Sequence, residues 1–161
     1  IQAIEEADIV VVTPGDLYTS LGPLLIIDGI GDALRRTKAL KVYVSNLVTK
    51  PGQTAGFTVS DHVSEIERFS GGEFLDYVLY NEQQPSEDVA ERYKAEDAYL
   101  TAVDSEKLVR SHYKTHAGNY LGEMAQSNSS DTIPAVRSLI RHDAQAVAWS
   151  LMDIYKAHKE R

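Results

Sequence analysis

The sequence predicts an α/β fold in three layers, a mostly parallel sheet with helices on both faces. Two observations carry the prediction. The runs Ile9-Val10-Val11-Val12 and Val42-Tyr43-Val44 lack polar alternation, as expected of strands buried on both faces of a parallel sheet. Helical periodicity separates them and recurs after the second, so strand, helix, strand, helix, strand follow in order. That order is the signature of right-handed βαβ crossovers.

The elements follow in turn. Ile1 to Ala7 reads as the tail of a helix. Asp8 to Val12 is the first strand, ended by Thr13-Pro14-Gly15. Leu21 to Thr37 is helical in pattern, with Asp28-Gly29 re-capping a second piece from Ile30 to Arg36. Lys41 to Ser45 is the second strand, and a Gly- and Thr-rich loop runs from Asn46 to Phe57. Val59 to Phe69 is a helix capped by Ser60 or Thr58, with Val59, Val63, Ile66 and Phe69 on its apolar face. Phe74 to Asn81 is the third strand. Pro85 to Glu96 is a charged surface helix capped near Ser86. Beyond Asp97 the pattern weakens. Tyr99 to Val103 and Val136 to Ile140 are strand candidates, and Leu121 to Ala135 reads as a loop or flap. Asp143 caps a last helix from Ala144 to His158, with Val147, Leu151 and Ile154 inward.

At 161 residues and 43% hydrophobic content the chain has the size and composition of one ordinary globular domain. The net charge of −8 argues against a nucleic-acid partner, which needs clustered Lys and Arg, and against anionic lipid. The basic spot Arg35-Arg36-Thr37-Lys38 reads as a solvated helix end. The absence of cysteine excludes disulfides, thiolate metal sites and cysteine nucleophiles. No apolar run approaches the roughly 20 residues of a membrane span, and the acidic start is no signal peptide. A cytoplasmic location is expected. The missing Met and the mid-helix start lead us to expect a fragment of a longer chain.

Chemistry is expected in loops that leave the strands at their C-terminal ends, where ligands gather in open parallel sheets. Thr13 to Pro23 joins the first strand to a helix. Gly15 and Gly22 permit close backbone approach, and Thr19 and Ser20 offer hydroxyls to cap the helix or to meet a phosphate. A tight turn with a Ser cap explains the same residues. Ser45 to Phe57 leaves the second strand with many donors and a lysine, Lys50, and suits either a polar ligand or solvent. Asn81 can read a base edge or a hydroxyl, or simply make a turn. In Arg141-His142-Asp143, Arg suits phosphate, while Asp143 reads as an N-cap. His112 and His116 are spaced i,i+4 without a neighbouring Glu and read as surface residues.

The loops also carry a resemblance. Ala3 to Leu34 (AIEEADIVVVTPGDLYTSLGPLLIIDGIGDAL), Val42 to Val63 (VYVSNLVTKPGQTAGFTVSDHV), Leu75 to Asn81 (LDYVLYN), Arg92-Tyr93 and Arg141-His142-Asp143 resemble, in order, motifs of the C-terminal half of CofD-like proteins. That family holds the 2-phospho-L-lactate transferases and the YvcK-like gluconeogenesis factors. The match is close from Ile4 to about Glu96 and patchy over 97–161, a variable region with the terminal helix. Thr13 stands where the family usually has Gly, and Ser45 where it has Cys. The glycine-rich N-terminal half of the family is not in this sequence.

The resemblance implies a Rossmann-like sheet holding a nucleotide or nucleotide-sugar at its strand ends. Carried over by motif, Gly15, Asp16, Leu17, Tyr18, Thr19 and Ser20 would lie near the phosphates or the acceptor. Asn46, Thr49 and Gly52 would line the pocket, and Asn81, Tyr93 and Arg141 would close it. The gluconeogenesis-factor branch implies binding of a UDP-sugar in regulating carbon metabolism and cell-wall growth. The transferase branch, which Ser20-Leu21-Gly22-Pro23 favours, implies phospholactyl transfer to a deazaflavin precursor, with Mg²⁺ on the diphosphate. A homo-oligomer is compatible with either.

Overall fold

The computed structural model describes residues 1–122 and 140–160. Four strands form one sheet in the order β1-β2-β3-β4. They are β1 (Ile9–Val12), β2 (Leu40–Val44), β3 (Tyr77–Asn81) and β4 (Lys114–Gly118). All three pairings are parallel, with Val11 opposite Val42, Tyr43 opposite Val78, and Leu79 opposite His116. The sheet is thus all-parallel among the described residues, with flanking helices, as the sequence pattern predicts.

Side-chain alternation sorts the strands between two faces. Val10, Val12, Tyr43, Val78 and Tyr80 face one core cluster. Ile9, Val11, Leu40, Val42, Val44, Tyr77 and Leu79 face the other. On the first face lie α2 (Gly22–Leu25), α3 (Ile30–Arg36), α4 (Val59–Ser70) and α6 (Ser105–Val109), which contribute Leu25, Leu34, Val63, Ile66 and Leu108. On the second face α7 (Ala144–Lys159) packs Val147, Leu151 and Ile154. Asp143 caps α7 by accepting from the Gln145 and Ala146 N–H groups, and Lys159 pairs with Asp8 at 2.9 Å at the far end. The short α1 (Gln2–Glu5) and the charged α5 (Glu87–Ala95) complete the α-helices among the described residues.

Several boundaries differ from expectation. Thr58, not Ser60, caps α4, in a reciprocal capping box with Asp61. The third strand begins at Tyr77, because the Phe74 and Leu75 N–H groups donate to the buried Glu67 carboxylate instead of a ladder. Tyr99 to Val103 is not a strand. It makes two isolated bridges, Leu100 to Val48 and Ala102 to Thr58, and straps the loop after β2. The strand β4 and the short helix α6 were not expected. β4 is Lys-Thr-His-Ala-Gly at the sheet edge, with no buried residue, so it carries no apolar pattern to read. The segment from Leu121 to Ala135 and the strand candidate at Val136 to Ile140 lie outside the described residues, save Leu121, Gly122 and Ile140.

Two close approaches set the helix layer. Gly31 of α3 lies so near α4 that an added Cβ would stand 2.0 Å from the Ser70 carbonyl oxygen. Arg35 donates to that same carbonyl and Arg36 pairs with Glu5 at 2.8 Å, so the basic spot is a tethered helix end.

Candidate functional site

The C-terminal ends of β1, β2 and β3 open onto one side of the sheet. After β1 the chain turns through Pro14-Gly15-Asp16 into a wide π-type turn, Leu17–Leu21. Both the Ser20 and Leu21 N–H groups donate to the Asp16 carbonyl, at 2.9 and 3.1 Å. The turn runs straight into α2, where Pro23 sits in the first turn.

After β2 the chain makes a compact loop. The Gln53 and Thr54 N–H groups return to the Lys50 carbonyl, at 3.1 and 2.9 Å. Gly52 and Gly56 take φ of +71° and +75°, values open to glycine. Thr54 Oγ1 accepts from the Lys50 N–H at 2.8 Å, and Thr49 Oγ1 accepts from the Tyr99 N–H at 3.0 Å. Each hydroxyl is nearly buried and keeps its own hydrogen to donate.

Asn46 ties the two exits together. Its Nδ2 donates to the Gly15 carbonyl at 2.9 Å, and its Oδ1 accepts from the Tyr43 hydroxyl at 3.1 Å. Burial pushes the Tyr43 phenol well above its ordinary pKa, so it stays a donor. Lys50 reaches across to pair with Asp16, and Thr19 Oγ1 donates to the same carboxylate at 3.3 Å.

Between these loops lies a cavity of about 470 Å³, lined by Gly15, Asp16, Leu17, Asn46, Thr49 and Lys50 together with Thr54 and His142. His142 Nε2 donates to the Ser45 carbonyl at 3.0 Å. Burial holds its pKa below 6.5, although that hydrogen bond pulls the other way. The ring is therefore neutral at pH 7. A second cavity of about 330 Å³ shares Asn46 and Leu47 with the first and extends to Asn81 and the end of β3. Asn81 Oδ1 accepts from the Tyr120 N–H at 2.9 Å, and its Nδ2 donates to the Gln83 carbonyl at 2.7 Å.

The structure thus gathers Gly15, Asp16, Leu17, Asn46 and Thr49 at one cavity and Asn81 at its neighbour. Leu17 is 1% exposed and belongs to the core floor. Tyr18 turns toward α4, donating to Glu65 at 3.1 Å and packing edge-on against Phe69. Ser20, Gly52 and Arg141 are exposed and lie off both linings. Tyr93 is buried with Leu47, Val89 and Ile140, and its hydroxyl accepts from the Ile140 N–H at 2.8 Å. Thr54 and His142 also line the first cavity and Thr101 the second, three residues that the family resemblance does not carry to the site. His142 was visible beside Arg141, but its approach to Ser45 across 97 residues was not.

His112 pairs with Glu67 at 3.0 Å and lies 3.7 Å from Glu73. Among the described residues no group of three or more His, Asp or Glu is placed to hold a metal. No single described helix is long and apolar enough to cross a membrane.

Comparison with known proteins sets this geometry in a family. The CofD family, described as 2-phospho-L-lactate transferase CofD, matches residues 1–121. This chain belongs to the CofD family. Within the family it is similar to a putative gluconeogenesis factor of Thermotoga maritima, 45% identical over 108 residues that cover 67% of this chain and 34% of that protein. It is also similar to one of Clostridium acetobutylicum, 38% identical over 95% of this chain and 31% of that protein. The gluconeogenesis factor of Bacillus subtilis is 32% identical over 97% of this chain and 45% of that protein. A crystal structure of a UPF0052-family protein from Bacillus halodurans superposes with a TM-score of 0.81 at 32% identity, covering 94% of this chain and 44% of that one. This CofD-family chain therefore spans between about a third and a half of the length of these relatives.

Proposed function

We propose that this chain binds a nucleotide-sugar, a UDP-sugar, across the crevice at the ends of β1 and β2, and that it acts as a regulator of the gluconeogenesis-factor type in carbon metabolism and cell-wall growth. The observation that carries the proposal is the Asn46 bridge to Gly15, which holds the two exit turns at one cavity. A diphosphate seated there would meet Lys50 and the Thr49 and Thr54 hydroxyls, a set suited to phosphate oxygens. Lys50 would exchange Asp16 for the phosphate. The Asp16 carboxylate is then the hard oxygen donor that a Mg²⁺ ion carried by the diphosphate would contact, the ion's part being to neutralise charge. The names of the relatives support the regulatory reading. His142, the nearest imidazole to the cavity, is neutral and engaged with the Ser45 carbonyl, which suits positioning the loop.

The second reading, a phospholactyl transferase acting on a deazaflavin precursor, is favoured by the family's own description and by Ser20-Leu21-Gly22-Pro23. Calorimetry with UDP-N-acetylglucosamine tests the first reading, which expects binding without turnover. Failure to bind any nucleotide-sugar overturns it. Product formation from an activated phospholactyl nucleotide and the deazaflavin precursor would establish the second in its place.

A further inference from the structure

We infer that His142 reads a hydroxyl group of the ligand through Nδ1, as a specificity-determining contact in the first cavity. The inference rests on the nucleotide-sugar reading above and adds which ring atom recognises the neutral part of the ligand.

Folding fixes the ring from both ends. The His142 backbone forms an antiparallel bridge with Leu121, and the next residue, Asp143, donates its N–H to the Tyr120 carbonyl at 2.8 Å before capping α7. At the other end Nε2 lies 3.0 Å from the Ser45 carbonyl, just past β2. An imidazole held in this way has its orientation set before a ligand arrives.

The Ser45 carbonyl decides the tautomer. A carbonyl oxygen only accepts, so Nε2 carries the hydrogen, and the neutral ring keeps a lone pair on Nδ1. Among the described residues the side-chain polar atoms that are both unpaired and sealed from water are Gln53 Oε1, His62 Nε2 and Thr101 Oγ1. His142 Nδ1 takes no hydrogen bond from the described residues either, yet it is not one of those sealed atoms, and its ring borders the cavity. It is an acceptor that a ligand can reach.

The chemistry of that acceptor selects the group. The phosphate oxygens of a UDP-sugar carry no hydrogen, so beside Nδ1 they would set lone pair against lone pair. The diphosphate therefore belongs with Lys50 and the Thr49 and Thr54 hydroxyls, and a donor belongs with His142. Glu96 adds a second acceptor to the same lining. Neighbouring sugar hydroxyls can donate to two acceptors at once. The imide N–H of a uracil is a single donor flanked by two carbonyls, which would need donors of their own.

The test is a cycle between residue and ligand on the full chain, read by calorimetry, with His142→Phe set against UDP-glucose, UDP and 2′,3′-dideoxy-UDP. Urea unfolding checks that the variant folds. If it does not, His142→Lys, which keeps a donor for the Ser45 carbonyl and has no acceptor, reads the same differences among the probes. UDP-glucose should bind the Phe variant about tenfold more weakly than the native chain. The loss should vanish with the probe that lacks the hydroxyl: with UDP if the group is on the glycosyl ring, and with dideoxy-UDP alone if it is on the ribose. An equal loss for all three would mean that His142 only holds the loop or meets the base, and would overturn the inference. Undiminished binding of UDP-glucose by the variant would overturn it too. If the native chain binds none of the three, the nucleotide-sugar reading itself falls and takes the inference with it.

Discussion

Asn46 connects the two turns that form the crevice, and replacing its amide by a carboxylate, Asn46→Asp, perturbs that connection with little change of shape. The Asp side chain can still accept from the Tyr43 hydroxyl, as Oδ1 does at 3.1 Å. The atom that now donates to the Gly15 carbonyl at 2.9 Å becomes an oxygen facing an oxygen. One hydrogen bond is lost and a half-buried carbonyl is left without its donor, which together cost about 1–3 kcal/mol of stability. Binding suffers further. A unit charge roughly 8 Å from a phosphate, at an effective dielectric near 20, is repelled by about 2 kcal/mol. That corresponds to roughly 30-fold weaker binding. Asn46→Ala removes the hydrogen bonds without the charge, so it should share the loss of stability and show a smaller loss of affinity. Urea unfolding reads the first quantity and calorimetry with a UDP-sugar the second. An Asp variant that binds as tightly as the native chain would refute the reasoning that the phosphates lie beside Asn46.

Gly31→Ala should destabilise the fold by about 1–3 kcal/mol in urea, because backbone must move to accept the new methyl. The clash at 2.0 Å from the Ser70 carbonyl outweighs the helix propensity gained, which is only about 1 kcal/mol. A more stable variant would show that α3 and α4 are not so close. Thr58→Ala removes the cap on Asp61 N and the 2.9 Å bond to Asp104, and should cost about 1–2 kcal/mol. Thr58→Ser should retain most of it, and equal urea midpoints for the native and Ala proteins would contradict the assigned cap. Burial lowers the pKa values of His62 and His142 below 6.5, so both rings are neutral in the folded state while the unfolded chain protonates more readily. Their contribution is complete above pH 6.5 and is lost as pH falls below it. Urea midpoints should therefore drop between pH 7.5 and 5.5, and less steeply in His142→Gln. Identical pH profiles for that variant and the native chain would count against it.

Much of the fold is legible because it rests on local patterns. β1 is a β-branched run, partly buried at the edge of the described sheet, β2 is buried along most of its length, and α4 and α7 announce themselves through Thr58 and Asp143. The strand β4 is not legible, since an edge strand of Lys114, Thr115, His116, Ala117 and Gly118 needs no apolar face. The candidate crevice is legible where it follows a topological rule. Gly15, Asp16, Asn46 and Thr49 sit at strand exits and meet in one cavity. Tyr18 is where motif reading and packing part. It stands in the same loop, yet Glu65 and Phe69 draw its ring onto α4. Thr101 and His142 come from distant segments, and only the folded chain brings them to Leu47 and Ser45.

A crystal structure of the chain grown with UDP-N-acetylglucosamine and Mg²⁺ addresses the crevice most directly. The diphosphate is predicted against Lys50 and the Thr49 and Thr54 hydroxyls, with the Lys50–Asp16 pair opened and the Asn46–Gly15 bond intact. A diphosphate bound away from the β1 and β2 exits would contradict it.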